Sequence, residues 1–275
     1  MKHISSRQNP LVARFRTVAR GDDRSSMLLD GVHLLTDALA AHVRVLDVAV
    51  AHAALETDVV APLAAALAAS GATVWSAASA VMDLLSPVRS ASPIVALAER
   101  PTHPVERVMA STAGPLVVAA GVQDPGNLGA IVRVAEAGGA VGVVAAQSAD
   151  PFGWKALRGS MGSALRLPVA AGMDVTDTIA AAHRSGWRVA ATIPRGGLAP
   201  DAANLTERVA FLIGGEGQGL SAEAIAAADV CLSIPMAPPV ESLNAAVCAA
   251  LLVYEARRQR LAASPLHGLA VPGRA

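Results

Sequence analysis

The sequence predicts an α/β protein built from two successive units, and three observations carry that reading. Short continuous apolar runs alternate with stretches of helical periodicity along most of the chain, the pattern of strands joined by crossover helices over a largely parallel, covered sheet. Hydrophobic residues make up 53% of the 275 and charged residues 16%, so a substantial core can form, and disordered or collagen-like classes are excluded. Aromatics are only 3%; an apolar mass of Ala, Val and Leu suits close-packed helices and buried parallel strands better than an aromatic-rich sandwich.

Asn9-Pro10 reads as a helix cap with proline at the first helical position, and Leu11, Phe15 and Val18 follow at helical spacing. Beyond the turn at Gly21-Asp22-Asp23, strands are expected over 27–30, 44–51, 73–77 and 94–98, and helices over 31–41, 58–70 and 79–85. Pro101 and Pro104 mark a polar linker over 101–114, which divides an N-terminal unit (1–100) from a C-terminal one (115–262). In the second unit, strands are expected over 116–120, 141–146, 188–192, 209–213 and 230–234. Helices are expected over 128–137, 175–185 and 222–227, with a long last helix over 242–261 and a flexible tail over 263–275.

Lys+Arg and Asp+Glu both number 22, so any basic surface must be local. Residues 1–24 hold Lys2, Arg7, Arg14, Arg16, Arg20 and Arg24 against only Asp22 and Asp23. Cys231 and Cys248 form no disulfide framework or metal-ligand spacing, and the seven histidines show no i,i+4 pair, so no metal is expected. The first residues contain no apolar stretch of signal-peptide type, and no apolar run reaches the roughly 18 residues of a spanning helix, so a soluble, cytoplasmic protein is expected.

Three polar, glycine-bearing segments each follow a strand of the second unit, and in open α/β sheets ligands sit at the carboxyl ends of strands. They are Gln123-Asp-Pro-Gly-Asn127 continuing to Arg133, Ile213-Gly-Gly-Glu216-Gly-Gln-Gly-Leu-Ser221, and Ile234-Pro-Met-Ala-Pro-Pro-Val-Glu-Ser242-Leu-Asn244. A dinucleotide fold is disfavoured, because Gly215, Gly217 and Gly219 alternate rather than following G-x-G-x-x-G, and 231–234 lacks the expected acidic residue. No Gly-Lys-Ser/Thr of a P-loop occurs. Taken singly, each polar residue has a structural use: Asn127 as a helix cap, Arg133 as a solvated charge, Glu216 as an acceptor for turn amides, Ser242 and Asn244 as caps of the last helix. Cys248, in an apolar helical stretch, reads as core rather than as a nucleophile. Jointly, at three strand ends, the polar residues read as a site.

In order and spacing the three segments resemble the motifs of the SpoU branch of the SPOUT RNA methyltransferases, the TrmH family of ribose 2′-O-methyltransferases, over about 115–260. Lys155-Ala-Leu-Arg-Gly-Ser-Met-Gly-Ser163 is similar to that family's connecting segment, and the N-terminal unit to a ribosomal-protein-like α/β substrate-binding domain. The resemblance implies a trefoil-knotted parallel sheet with helices on both faces, S-adenosylmethionine as methyl donor, and a homodimer through the knotted domain. By position it implies Gly214, Gly215, Ile234, Met236 and Leu243 at the cofactor, and Asn127, Arg133, Glu216, Ser242 and Asn244 in catalysis. The implied reaction is in-line attack of a ribose 2′-hydroxyl on the sulfonium methyl, an alignment problem above all. Arg133 is assigned there to activating the hydroxyl; a guanidinium stays protonated, so holding the adjacent phosphate and the developing alkoxide is the alternative. Val134, Met161, Ser163, Ala245, Ala246 and Cys248 depart from the family's commonest residues without removing any of these polar groups. RNA contact is expected at Arg7, Arg14, Arg16, Arg20 and Arg24. The expected substrate is 23S rRNA, with tRNA as the alternative and a non-catalytic RNA-binding or ribosome-assembly protein of the same fold as a second one.

Overall fold

The computed structural model describes residues 2–88 and 91–263; the expected tail therefore lies, but for Ala263, outside the described residues. In chain order the elements are β1 (Lys2–Ile4), α1 (Pro10–Arg20), β2 (Ser26–Asp30), α2 (Val32–Ala40), β3 (Val45–Ala51), α3 (Val60–Ala69), β4 (Thr73–Ala77), α4 (Ser79–Leu85) and β5 (Ile94–Glu99). There follow α5 (Val105–Ala110), β6 (Leu116–Ala120), α6 (Pro125–Gly138), β7 (Gly142–Ala146), α7 (Trp154–Ser160) and α8 (Ser163–Arg166). The chain ends with β8 (Val169–Met173), α9 (Val175–Arg184), β9 (Arg188–Thr192), β10 (Val209–Gly214), α10 (Ala222–Ala226), β11 (Val230–Leu232) and α11 (Ala245–Ala263).

Two compact units form. The first takes 1–102 together with 150–166; the second takes 103–149 and the chain from 167 on. The first contains a five-stranded sheet in the order β1-β4-β3-β5-β2, in which only β5 runs against its neighbours. Its helix α1 begins as its sequence dictates: Asn9 Oδ1 accepts from the Leu11 amide at 2.9 Å, and Gly21 closes it with a left-handed φ of 82°. Leu11, Val12, Phe15 and Val18 bury one face of α1 against Leu28 and Leu97 of the sheet and Val81, Met82 and Leu85 of α4. Trp154 of α7 packs on this same core, Arg100 pairs with Asp150 at 2.7 Å and stacks on Phe152, and Arg166 pairs with Asp37 at 3.2 Å. A boundary drawn only by position in sequence, as at 101–114, misses this: 150–166 lies between two strands of the second unit but completes the first.

The second unit is a six-stranded, wholly parallel sheet in the order β11-β9-β10-β6-β7-β8. Leu116, Val118, Val144 and Leu212 turn to the face covered by α5, α9 and α10, with Trp187 among them. Strand alternation sends the intervening residues to the other face, where α11 packs on α6 and β10. The crossing of α6 and α11 is close because Gly138 lies at it: a Cβ there would stand 2.2 Å from Val253 Cγ1.

The structure differs from the sequence expectations at several points. The expected linker holds α5, whose Val105, Val108 and Met109 are buried. The helix expected from 128 begins at Pro125, because Asp124, not Asn127, is its N-cap. The last helix begins at Ala245, after its Asn244 cap, rather than at 242, and β11 stops at Leu232 instead of 234. Helices α7 and α8 and strands β1 and β8 are additional elements.

Candidate active site at the carboxyl edge of the parallel sheet

A cavity of about 460 Å³ opens at the carboxyl ends of β9, β10 and β11, within the usual range for small-molecule sites. Gly214, Gly215, Gly217 and Gly219 contribute to its wall, beside apolar side chains such as Ile234 and Leu243. After β10 the chain folds back on itself, Gly219 N–H donating to Gly215 O at 3.1 Å, with Gly217 at φ 84° and Gly219 at φ 66°. A Cβ on Gly214 would meet the Gly219 carbonyl carbon at 2.6 Å, and one on Gly215 would meet Gly121 O at 2.2 Å. Glycine is therefore required at both places by the approach of main chain to main chain.

Gly214, Gly215, Ile234, Met236 and Leu243, the five expected cofactor residues, all line this one cavity, as do Glu216, Ser242 and Asn244. The segment that brings Ile234 to Leu243 round the cavity contains a cis peptide at Pro238-Pro239. The end of β9, at Thr192, Ile193 and Pro194, also contributes, as do Cys248 and Leu252 of α11. Thr192, Ile193, Pro194 and Leu252 have no signal in the sequence; the position of β9 beside β10 is a tertiary fact, and Thr192-Ile-Pro carries no glycine signal of its own. Cys248, expected as core, is half-buried and lines the cavity; burial raises its thiol pKa, so it stays protonated at neutral pH.

Asn127 stands outside the cavity lining but is tied to it. Because Asp124 Oδ1 accepts the Asn127 backbone N–H at 2.8 Å, the Asn127 side chain is released from capping. Its Nδ2 donates to Glu216 Oε1 at 2.5 Å, and its Oδ1 accepts from Asn244 Nδ2 at 2.8 Å. Asn244 in turn accepts from the Ala246 amide at 2.9 Å through Oδ1, capping α11. One hydrogen-bonded chain of fixed polarity thus runs from the amino end of α11 through Asn244 and Asn127 to the Glu216 carboxylate, joining all three sequence segments. The donors along it leave each amide a single orientation and give Glu216 a donor partner.

Arg133 does not join this chain. It lies exposed, nearly two turns further along α6, outside the cavity lining and without a partner among the described residues. Of the expected RNA-contacting arginines, Arg14 is held by Asp47 at 2.7 Å and Arg20 by Asp22 at 3.0 Å. Arg7, Arg16 and Arg24 are exposed and have no carboxylate partner among the described residues. Among the described residues no group of three or more His, Cys, Asp or Glu side chains could hold a metal ion.

The profile of the SpoU rRNA Methylase family matches residues 114–254. An uncharacterized tRNA/rRNA methyltransferase of Synechocystis sp. is 40% identical over 52% of this chain, a match spanning only 53% of that protein. The 23S rRNA (guanosine(2553)-2′-O)-methyltransferase RlmP of Bacillus subtilis is 28% identical over 94% of this chain and the whole of its own length. Among solved structures, the AdoMet-bound rRNA methyltransferase of Sinorhizobium meliloti superposes with a TM-score of 0.83 at 27% identity, covering 98% of this chain and 99% of that one. With more than half its length matched by the profile, and the matched stretch containing all three segments that build the cavity and its hydrogen-bonded rim, this chain belongs to the SpoU rRNA Methylase family.

Proposed function

We propose that the protein is an S-adenosylmethionine-dependent RNA ribose 2′-O-methyltransferase and that its substrate is 23S rRNA. The observation that carries the reading is the Asn244–Asn127–Glu216 chain at the rim of the cavity, and the relative aligned over its full length has that substrate in its name. The cavity fits the cofactor: its volume suits a nucleoside-sized ligand, and the Gly214–Gly219 loop offers main-chain donors and acceptors at close range for an adenine edge. Met236, Leu243 and Leu252 give it apolar walls. S-adenosylmethionine, when bound, supplies the electrophilic methyl group. The chain's own residues have the task of alignment, Asn127, Glu216, Ser242 and Asn244 fixing the acceptor hydroxyl by preset hydrogen bonds. Arg133, a permanent cation, serves the RNA phosphate and the developing alkoxide rather than acting as a base.

The knotted path is part of this reading. It is supported by the chain leaving edge strand β11, passing through 233–244 and seating α11 back on β10 and α6, across β9. So is the homodimer: Val247, Leu251, Tyr254 and Leu261 form a stripe on α11 that is 44–50% exposed, at the i, i+4, i+7 spacing of a packing face. Sedimentation is expected to give a mass of two 27.7 kDa chains; a monomer at micromolar concentration would overturn the dimer. No helix among the described residues is long and apolar enough to cross a membrane, and the proposed substrate places the enzyme in the cytoplasm.

Transfer of tritium from S-adenosylmethionine to unmodified 23S rRNA and tRNA transcripts tests the activity. Label in 23S rRNA at a ribose is the expected result. Label in tRNA alone would replace the substrate, and cofactor binding without any label would leave the RNA-binding alternative standing. The N-terminal arginines give a separate prediction. Replacing Arg7, Arg16 and Arg24 together by alanine should weaken RNA binding and lower the slope of log Kd against log salt by roughly 2–3, since each phosphate contact contributes about 0.7–0.9. Arg14→Ala and Arg20→Ala, already paired with carboxylates, should change that slope far less. Equal slopes for all five would remove this surface from the RNA interface.

A further inference from the structure

The carboxyl edge of the parallel sheet is divided. The cavity occupies the ends of β9, β10 and β11, and the bond from Asn127 to Glu216 marks the border, where β6 and β10 lie side by side. The ends of β6, β7 and β8 contribute nothing to the cavity lining. They carry a joined polar row instead. Gln123, after β6, donates through Nε2 to Gln147 O at 2.7 Å and to Gly121 O at 3.4 Å. Gln147, after β7, donates through Nε2 to Asp174 Oδ2 at 2.6 Å, and Asp174, after β8, uses its Oδ1 to cap α9.

Gln147 also holds a left-handed backbone, φ 48°, that glycine would adopt more easily. A long polar side chain kept exposed at such a position implies a use for the side chain. Transfer between two substrates requires the second to approach the cavity's rim, and the exposed side chains of Gln123 and Gln147 stand at the strand ends beside that rim.

The hydrogen-bonding capacity left over is specific. Among the described residues Gln123 Oε1, Gln147 Oε1 and the second Nε2 hydrogen of Gln147 have no partner, which makes two acceptors and one donor. A splayed-out base presents its Watson–Crick edge to such groups, and only guanine offers two donor groups, N1–H and N2–H, beside one acceptor, O6. Adenine, cytosine and uracil each offer a single donor group there. We infer that Gln123 and Gln147 form a ledge that receives the base of the acceptor nucleotide and selects guanine; this rests on the methyltransferase reading above and names what its second substrate presents.

Gln147→Gly is the discriminating variant, because it removes the side chain while easing the backbone. It should melt at or above the wild-type temperature and bind S-adenosylmethionine unchanged. For an unmodified 23S rRNA transcript its Kd and KM should rise about tenfold, the effect of one lost base contact, at an unaltered salt slope because no charge is removed. With transcripts carrying each of the four bases at the labelled position, wild type should prefer guanine and the variant should approach equal rates. Wild-type Kd and base preference in both Gln147→Gly and Gln123→Ala would overturn the ledge. Should wild type methylate no RNA, the functional reading falls, and the Kd comparison at fixed salt still decides whether the ledge touches RNA.

Discussion

Asn127→Ala is expected to lower kcat for methyl transfer about 100-fold or more, the scale of losing one preorganised hydrogen-bonding group at a reacting centre. Two bonds disappear together, the donation to Glu216 and the acceptance from Asn244, so both neighbours lose their fixed orientation. The fold should survive. Asp124 remains as the N-cap of α6, and alanine is a better helix former than asparagine in an exposed first turn. Melting temperature and S-adenosylmethionine affinity should therefore stay near wild type while kcat falls. Asn127→Asp should be no better than alanine despite its similar shape, because it sets a second carboxylate against Glu216 and offers no hydrogen to it. Full activity in either variant under single-turnover conditions would show that the three-residue chain has no part in the chemistry.

Gly215→Ala acts on the scaffold instead. The added methyl would lie 2.2 Å from Gly121 O and 2.8 Å from its carbonyl carbon, both main-chain atoms at the ends of paired strands, so β10 and β6 would have to separate at the cavity's edge. Overpacking of this kind costs about 1–3 kcal/mol or more. At roughly 2–4 °C per kcal/mol for a domain of this size, melting should fall by about 5–10 °C, with cofactor affinity lost alongside. Gly217→Ala is the contrast. It has open space around its Cβ position and only a left-handed φ of 84° to resist it, so the loss should be nearer 1 kcal/mol. Calorimetry of the two variants separates them; equal melting temperatures would mean the β6–β10 approach is softer than its geometry implies.

What the sequence disclosed follows from where the signals are local. The buried strands β6, β7, β9 and β10 are continuous apolar runs, and the glycine loop after β10 is legible because close main-chain approach tolerates only glycine. Strand β8 was not legible: Val169-Ala-Ala-Gly-Met is an edge strand whose last residues are exposed or half-exposed, leaving a weak apolar run. Strand β1 is three residues that become a strand only by pairing with β4, some 70 residues away. The site's membership could be read from three segments at strand ends, but its wiring could not. That Asp124 takes over capping and frees Asn127, or that Thr192 and Cys248 meet the cavity, depends on contacts between distant parts of the chain. Arg133 shows the converse, an exposed residue placed by motif that is not among those lining the cavity.

The excursion of 150–166 out of the second unit has a consequence for synthesis on the ribosome. When residue 102 has emerged, the N-terminal unit has all its strands but not α7 and α8, so the seat of Trp154 is open and Asp37 lacks Arg166. At about 5–20 residues per second, completion waits several seconds, until β6 and β7 of the next unit have also been made. Neither unit can be finished before the other has begun. A fragment cut at 102 should therefore expose apolar surface, and the N-terminal unit should not transplant onto another protein as a contiguous cassette.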